Sequence, residues 1–209
     1  MSKNSELDEL FTEWKEYHAK MNINPERFCP DGIINESKYL ESHLKILFIM
    51  REVNSTEGFD LREMLKEGPK YQMWYTIARW SAGIIRNFPS YEEIDNYESM
   101  KNSLLSVATM NLKKTYGGSM VNLESINAYA HMDSKFLRKQ IEIIEPEIMV
   151  ACGTFSLLIW LLDLPVDSDD PISKVCITEK FKVVPWRHPG RVNNKETYEE
   201  LKEKVRQYI

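Results

Sequence analysis

Four short apolar runs dominate the pattern of this chain, and each breaks off into polar or glycine-rich residues. Lys45 to Met50 runs into Arg51-Glu52-Val53-Asn54, and Ser106 to Met110 into Asn111-Leu112-Lys113-Lys114-Thr115-Tyr116-Gly117-Gly118. Glu147 to Ala151 ends at Cys152-Gly153-Thr154, and Phe181 to Val184 at Pro185-Trp186-Arg187-His188-Pro189-Gly190. Short runs without polar alternation fit strands buried on both faces, as in a parallel sheet. Strands alternating with helical segments predict an α/β protein, a three-layer α/β/α sandwich around a four-stranded parallel sheet. Such open sheets bind ligands beyond the carboxyl ends of their strands, so the residues that follow each run are the candidates for function.

Leu7, Leu10, Phe11, Trp14 and Tyr17 recur at helical spacing, which predicts a first helix ending before Asn24-Pro25 and packing as a lid. Pro30-Asp31-Gly32 is a turn signal in a segment from Pro25 to Ser42 that reads as an irregular connection. Further helices are expected over Phe59 to Glu67, over Tyr71 to Asn87 with Trp74, Ile77, Ala78, Ala82 and Ile85 on one face, and over Tyr91 to Asn102. Asp133-Ser134 is expected to cap a helix carrying Phe136, Leu137, Ile141 and Ile144 that stops at Pro146. Another begins at Thr154 and runs through Leu162, and a terminal one begins near Lys195. Trp74, Trp80 and Trp160 are assigned to the core, and Trp186 to anchoring the last loop. With no repeat and no linker rich in Gly, Ser or Pro, residues 1–209 read as a single domain, with 1–42 as its N-terminal helix and lid.

The hydrophobic share of 43% supports a substantial core. No apolar stretch approaches the roughly 20 residues of a membrane helix, and the acidic start lacks a signal peptide's basic and apolar regions, so a cytoplasmic setting away from membranes is expected. Cys29, Cys152 and Cys176 are scattered, which disfavours disulfides and gives no metal-ligand spacing. A net charge of -5 argues against indiscriminate nucleic-acid binding and leaves room for a local basic patch.

The order of these strand-end motifs resembles the uracil-DNA glycosylase superfamily. The resemblance rests on Arg51-Glu52-Val53-Asn54 after the first strand, Asn111 after the second and His188-Pro189-Gly190 after the last, and spans roughly Lys45 to Val192. The stretch Phe136 to Gly153 also looks like that group's helix and third strand. The resemblance implies a DNA glycosylase acting on a uracil-like, deaminated or modified base, with DNA as partner and no cofactor, metal or obligate protein partner. Arg51 stands where members usually have glycine and Gly190 where they commonly have serine, and the cysteine set of the iron-sulfur branch is absent.

An N-glycosylase must extrude a base, stabilise charge growing on it and deliver water. Glu52 can orient or deprotonate that water, or it can be half of a loop salt bridge. Asn111 has the donor and acceptor that read an amide-like base edge, or it caps its strand. His188 can donate to the departing base, or be structural. Asn54 is a candidate substrate contact or a turn residue, and Phe59 a stacking platform or a core residue. Lys113, Lys114, Gly117, Gly118, Arg51, Arg187, Gly190 and Arg191 are the candidate phosphate contacts, since lysine and arginine neutralise phosphate and glycine allows close backbone approach. Two other classes compete with the glycosylase: a catalytically silent nucleic-acid or nucleotide binding module on the same fold, and a hydrolase of free nucleosides or nucleotides.

Overall fold

The computed structural model describes residues 1–118, 120–165, 170 and 174–209. In chain order its elements are α1 (Lys3–Lys20), β1 (Gly32–Ile33), α2 (Glu36–Glu41), β2 (Ile46–Met50), α3 (Leu61–Lys66), α4 (Gln72–Ile85), α5 (Tyr91–Ile94), α6 (Tyr97–Leu105), β3 (Ala108–Asn111), α7 (Leu123–Met132), α8 (Ser134–Ile144), β4 (Ile148–Cys152), α9 (Phe155–Leu162), β5 (Cys176–Ile177), β6 (Lys182–Trp186) and α10 (Asn194–Val205). The protein is mixed α/β, with one sheet in the order β1-β3-β2-β4-β6-β5.

The expected four-stranded sheet is corrected to a six-stranded mixed one. The four anticipated strands β3, β2, β4 and β6 lie side by side and parallel, and β1 and β5 add antiparallel edges. Two-residue strands are too short to show a period, so the sequence pattern is blind to them.

Alternate side chains of the buried strands feed two separate cores. Leu47 and Ile49 of β2 with Met149 and Ala151 of β4 meet α1, α7, α8 and α9. Ile46, Phe48 and Met50 with Ile148, Val150 and Cys152 meet α3, α4, α6 and α10. From β2 the chain crosses to β3 on one side, and from β4 to β6 on the other. The crevice between β2 and β4 is therefore where the connections diverge, the usual place for a ligand in an open sheet.

Several local expectations change. α1 is no lid: Leu7, Phe11 and Trp14 are buried, and Trp14 stacks on Phe136 of α8 at 5.1 Å between ring centroids. The connection after it contains β1 and α2. The helix expected over Tyr91 to Asn102 is two, because the Asn96 side chain accepts from Ser99 N and starts a second. α7 escaped notice because only Ile126 and Ala130 of it are buried, too few to give a period. Trp160 is 41% exposed rather than core, resting against the His131 ring. Its helix Phe155-Ser156-Leu157-Leu158-Ile159-Trp160-Leu161-Leu162 is apolar nearly all round, which hides the outward face.

Candidate functional site

The segments that leave β2 and β3 are laced together by continued parallel pairing. Leu112 N donates to Met50 O at 2.9 Å, Lys113 N to Arg51 O at 2.9 Å, Gly117 N to Val53 O at 2.8 Å, and Ser55 N to Gly117 O at 3.1 Å. Successive side chains of an extended segment point to opposite sides. Arg51 and Glu52 accordingly line two different cavities.

The first cavity, about 360 Å³, brings together Glu52, Asn54, Phe59 and Asn111. The sequence reading missed its remaining wall, which includes Met64, Tyr71, Met73 and Trp74. Tyr71 is 64% exposed and is the N-cap residue before α4, so a residue that helical spacing would place at a frayed end is an aromatic lip. The lining is apolar and aromatic with a few convergent polar groups, the usual make-up of a small-molecule site.

Glu52 Oε2 accepts from Lys113 Nζ at 2.5 Å, and both side chains are nearly buried. That ion pair fixes the position of the carboxylate in an apolar setting. It also corrects the expected role of Lys113, which is 8% exposed and engaged by Glu52 instead of facing a phosphate. Lys113 also lies over the Tyr129 ring, 5.3 Å from its centroid. Gly117 supports Glu52 by having no side chain, since a Cβ there would overlap the carboxylate. Gly118 beside it is exposed, and a Cβ there would meet no atom within 4 Å among the described residues.

Asn111 ends β3, and its orientation is set from behind. Asp31 Oδ2 accepts from Asn111 N at 2.7 Å and from Asn111 Nδ2 at 3.2 Å. Asp31 Oδ1 accepts from Lys114 Nζ at 2.5 Å and from Gln140 Nε2 at 2.8 Å. With one N–H of Nδ2 donating to Asp31, the amide orientation is set and the carbonyl Oδ1 is the acceptor that Asn111 offers a ligand. The Lys114 assignment is overturned: the side chain is fully buried, 5.3 Å from the Trp14 ring centroid, and touches no solvent. Burial lowers its affinity for a proton and Asp31 opposes that shift. Asp31 is the support of Asn111 that turn chemistry concealed, since Pro30-Asp31-Gly32 carries no local hint of a partner eighty positions away. Nearby, Asp133 stands at the N-cap position of α8, as expected, but its side chain makes no cap bond and instead holds buried His18, with both carboxylate oxygens 3.0 Å from Nε2.

His188 follows β6 and does not line the first cavity. Its Nδ1 accepts from Gly190 N at 3.1 Å, which puts the ring proton of the neutral form on Nε2. Burial, and then Arg51, lowers its pKa below the ordinary value, so the neutral donor is the favoured form at pH 7. A Cβ on Gly190 would stand 3.1 Å from that Nδ1, so the loop's tight return favours glycine there. Arg191 is exposed in the left-handed region at φ 60°, and Arg187 is half-exposed in an ion pair with Glu200 at 2.7 Å.

Among the described residues, no group of His, Cys, Asp and Glu is placed to hold a metal ion, and no helix is long and apolar enough to cross a membrane. No protein-family model matches this chain, and no curated protein matches it.

Proposed function

We propose that the chain is an N-glycosyl hydrolase of the uracil-DNA glycosylase kind, on a three-layer α/β/α sandwich, releasing a uracil-like or otherwise modified base from DNA. One observation carries this reading: Glu52 and Asn111, from the ends of adjacent parallel strands, line one cavity walled by Phe59, Tyr71 and Trp74. An extruded base would lie against those rings, with a ring N–H donating to Asn111 Oδ1. Glu52, held in place by Lys113, would orient a water and take its proton as the oxygen adds to the anomeric carbon. The C–N bond breaks with its electron pair leaving on the base, where the His188 Nε2–H would stabilise the charge. His188 lies outside the cavity lining, so it acts only on ligand atoms that extend towards the β6 loop.

The Glu52–Lys113 pair also favours a second reading, a silent nucleotide-binding module in which the lysine occupies the carboxylate. Oligonucleotides carrying uracil, hypoxanthine, xanthine or a hydroxymethylated base, treated with protein and then alkali, separate the two. A strand break at one lesion that drops by about 10²–10⁴ in Glu52→Gln supports hydrolysis. Bound DNA without a break at any lesion supports the silent module.

A further inference from the structure

The first cavity is lined by two different kinds of group. The strand ends supply polar side chains, Glu52 and Asn111, and the segment through α3 and α4 supplies apolar ones that include Leu61, Met64 and Met73. One turn ties the two together. Asp31 accepts from Asn111 Nδ2 at 3.2 Å, and the carbonyl of its neighbour Pro30 accepts from Leu61 N at 2.8 Å. α3 is clamped further by Arg62, whose Nη2 donates to Asp60 Oδ2 and to Asp8 Oδ1 of α1, each at 2.6 Å. Consecutive residues of one turn therefore fix both the amide and the start of the helix that carries the apolar lining.

A base held as proposed above has a ring N–H at Asn111 Oδ1 and its faces against Phe59, Tyr71 and Trp74. In a 2,4-dioxopyrimidine that group is N3–H, and the C5–C6 edge lies across the ring from it. Leu61, Met64 and Met73 are the lining left for that edge. None of the three side chains carries a hydrogen-bond donor, so a purine would bury its N7 there unsatisfied. The volume of about 360 Å³ equals that of about twelve liquid waters at roughly 30 Å³ each, more room than an unsubstituted uracil fills. Methionine is unbranched and adapts to the shape it meets, so two of them suit an added alkyl group.

We infer, on the function proposed above, that the site selects a pyrimidine extended by an apolar group at C5, and that Met64 and Met73 are the residues that recognise the extension. Filling an apolar pocket with one or two further carbons is worth about tenfold or more in discrimination. A hydroxyl on the same extension loses part of that gain, because it meets no partner among these side chains.

The test uses single-stranded oligonucleotides of one thymine-free sequence that differ at a single base: uracil, thymine, 5-ethyluracil or 5-hydroxymethyluracil. Binding is followed by fluorescence anisotropy, and strand breaks are scored after alkali. The expected result is affinity that rises by about tenfold from uracil to 5-ethyluracil, with thymine between them and 5-hydroxymethyluracil below its ethyl counterpart. Met64→Phe and Met73→Phe, which fill the space with a stiffer side chain, should each bring the ratio of 5-ethyluracil to uracil affinity close to one. The ratio is taken within each variant, so partial unfolding lowers both affinities and leaves it alone. A parent ratio of one or less, or a ratio that survives both substitutions, overturns the selection. Breaks at uracil with a ratio of one overturn the selection and leave the glycosylase reading standing. A ratio near ten without breaks at any base overturns the glycosylase reading and supports the selection as one of binding. Binding of none of the four oligonucleotides overturns both.

Discussion

Lys114→Met isolates the charge that supports Asn111 from behind. The ammonium is fully buried and its anionic partner is Asp31 at 2.5 Å. Methionine keeps most of the side-chain volume against Phe11 and Trp14, so packing changes little. What remains is a buried carboxylate that keeps three donors, Asn111 N, Asn111 Nδ2 and Gln140 Nε2, and loses its counter-ion. Removing one partner of a buried pair costs about 3–5 kcal/mol, and the three surviving donors place this case near 3. For a chain of this size that lowers Tm by roughly 6–12 °C. Urea unfolding followed by tryptophan fluorescence measures it at pH 7. The double variant Asp31→Asn with Lys114→Met should return to within about 1 kcal/mol of the parent, because no buried charge is left unpaired. A cost under about 1 kcal/mol for Lys114→Met, or a double variant as damaged as the sum of its singles, would refute the reasoning.

Gly117→Ala should lower base release by about 10²-fold by displacing Glu52, at a stability cost of roughly 1–3 kcal/mol; release equal to the parent would show that Glu52 need not be held there. Burial and Arg51 lower the His188 pKa, so as pH falls through about 6.5 the unfolded chain takes up the proton first. Stability should therefore decline from there until the lowered folded value is passed, and His188→Asn should abolish that acid slope in urea midpoints taken at pH 7 and 5.5. Phe59→Ala and Tyr71→Ala should each weaken binding of a uracil-containing oligonucleotide by about 1–3 kcal/mol, measured by fluorescence anisotropy, and unchanged affinity in both would remove the aromatic wall from the site.

The parallel centre of the sheet was legible because a strand buried on both faces has to be apolar throughout, and β2, β3, β4 and β6 lie where the four runs predict. The gathering of Glu52, Asn54, Phe59 and Asn111 at one edge follows from the same rule, since strand ends of a parallel sheet share an edge. Partnerships across the chain were not legible. Lys113 and Lys114 are neighbours that read as one basic patch, yet one pairs with Glu52 and the other with Asp31, each inside the protein. Alternation along an extended segment sends adjacent side chains to opposite sides, and only the tertiary fold decides what waits on each side. The same effect hid Asp31 in a turn signal and gave the carboxylate of Asp133, at the N-cap of α8, to His18 instead of the helix.

The two-residue edge strands matter beyond the site. β1 and β5 each present at most a couple of backbone groups outward, where a longer flat edge would template pairing with other chains. β3 behind β1 is buried throughout and β6 behind β5 is buried at Val183, Val184 and Pro185, so each would present unpaired backbone groups if its edge strand came away. A pair of dipeptides thus stands between a working sheet and aggregation, and damage that only loosens β1 or β5 would register first as turbidity.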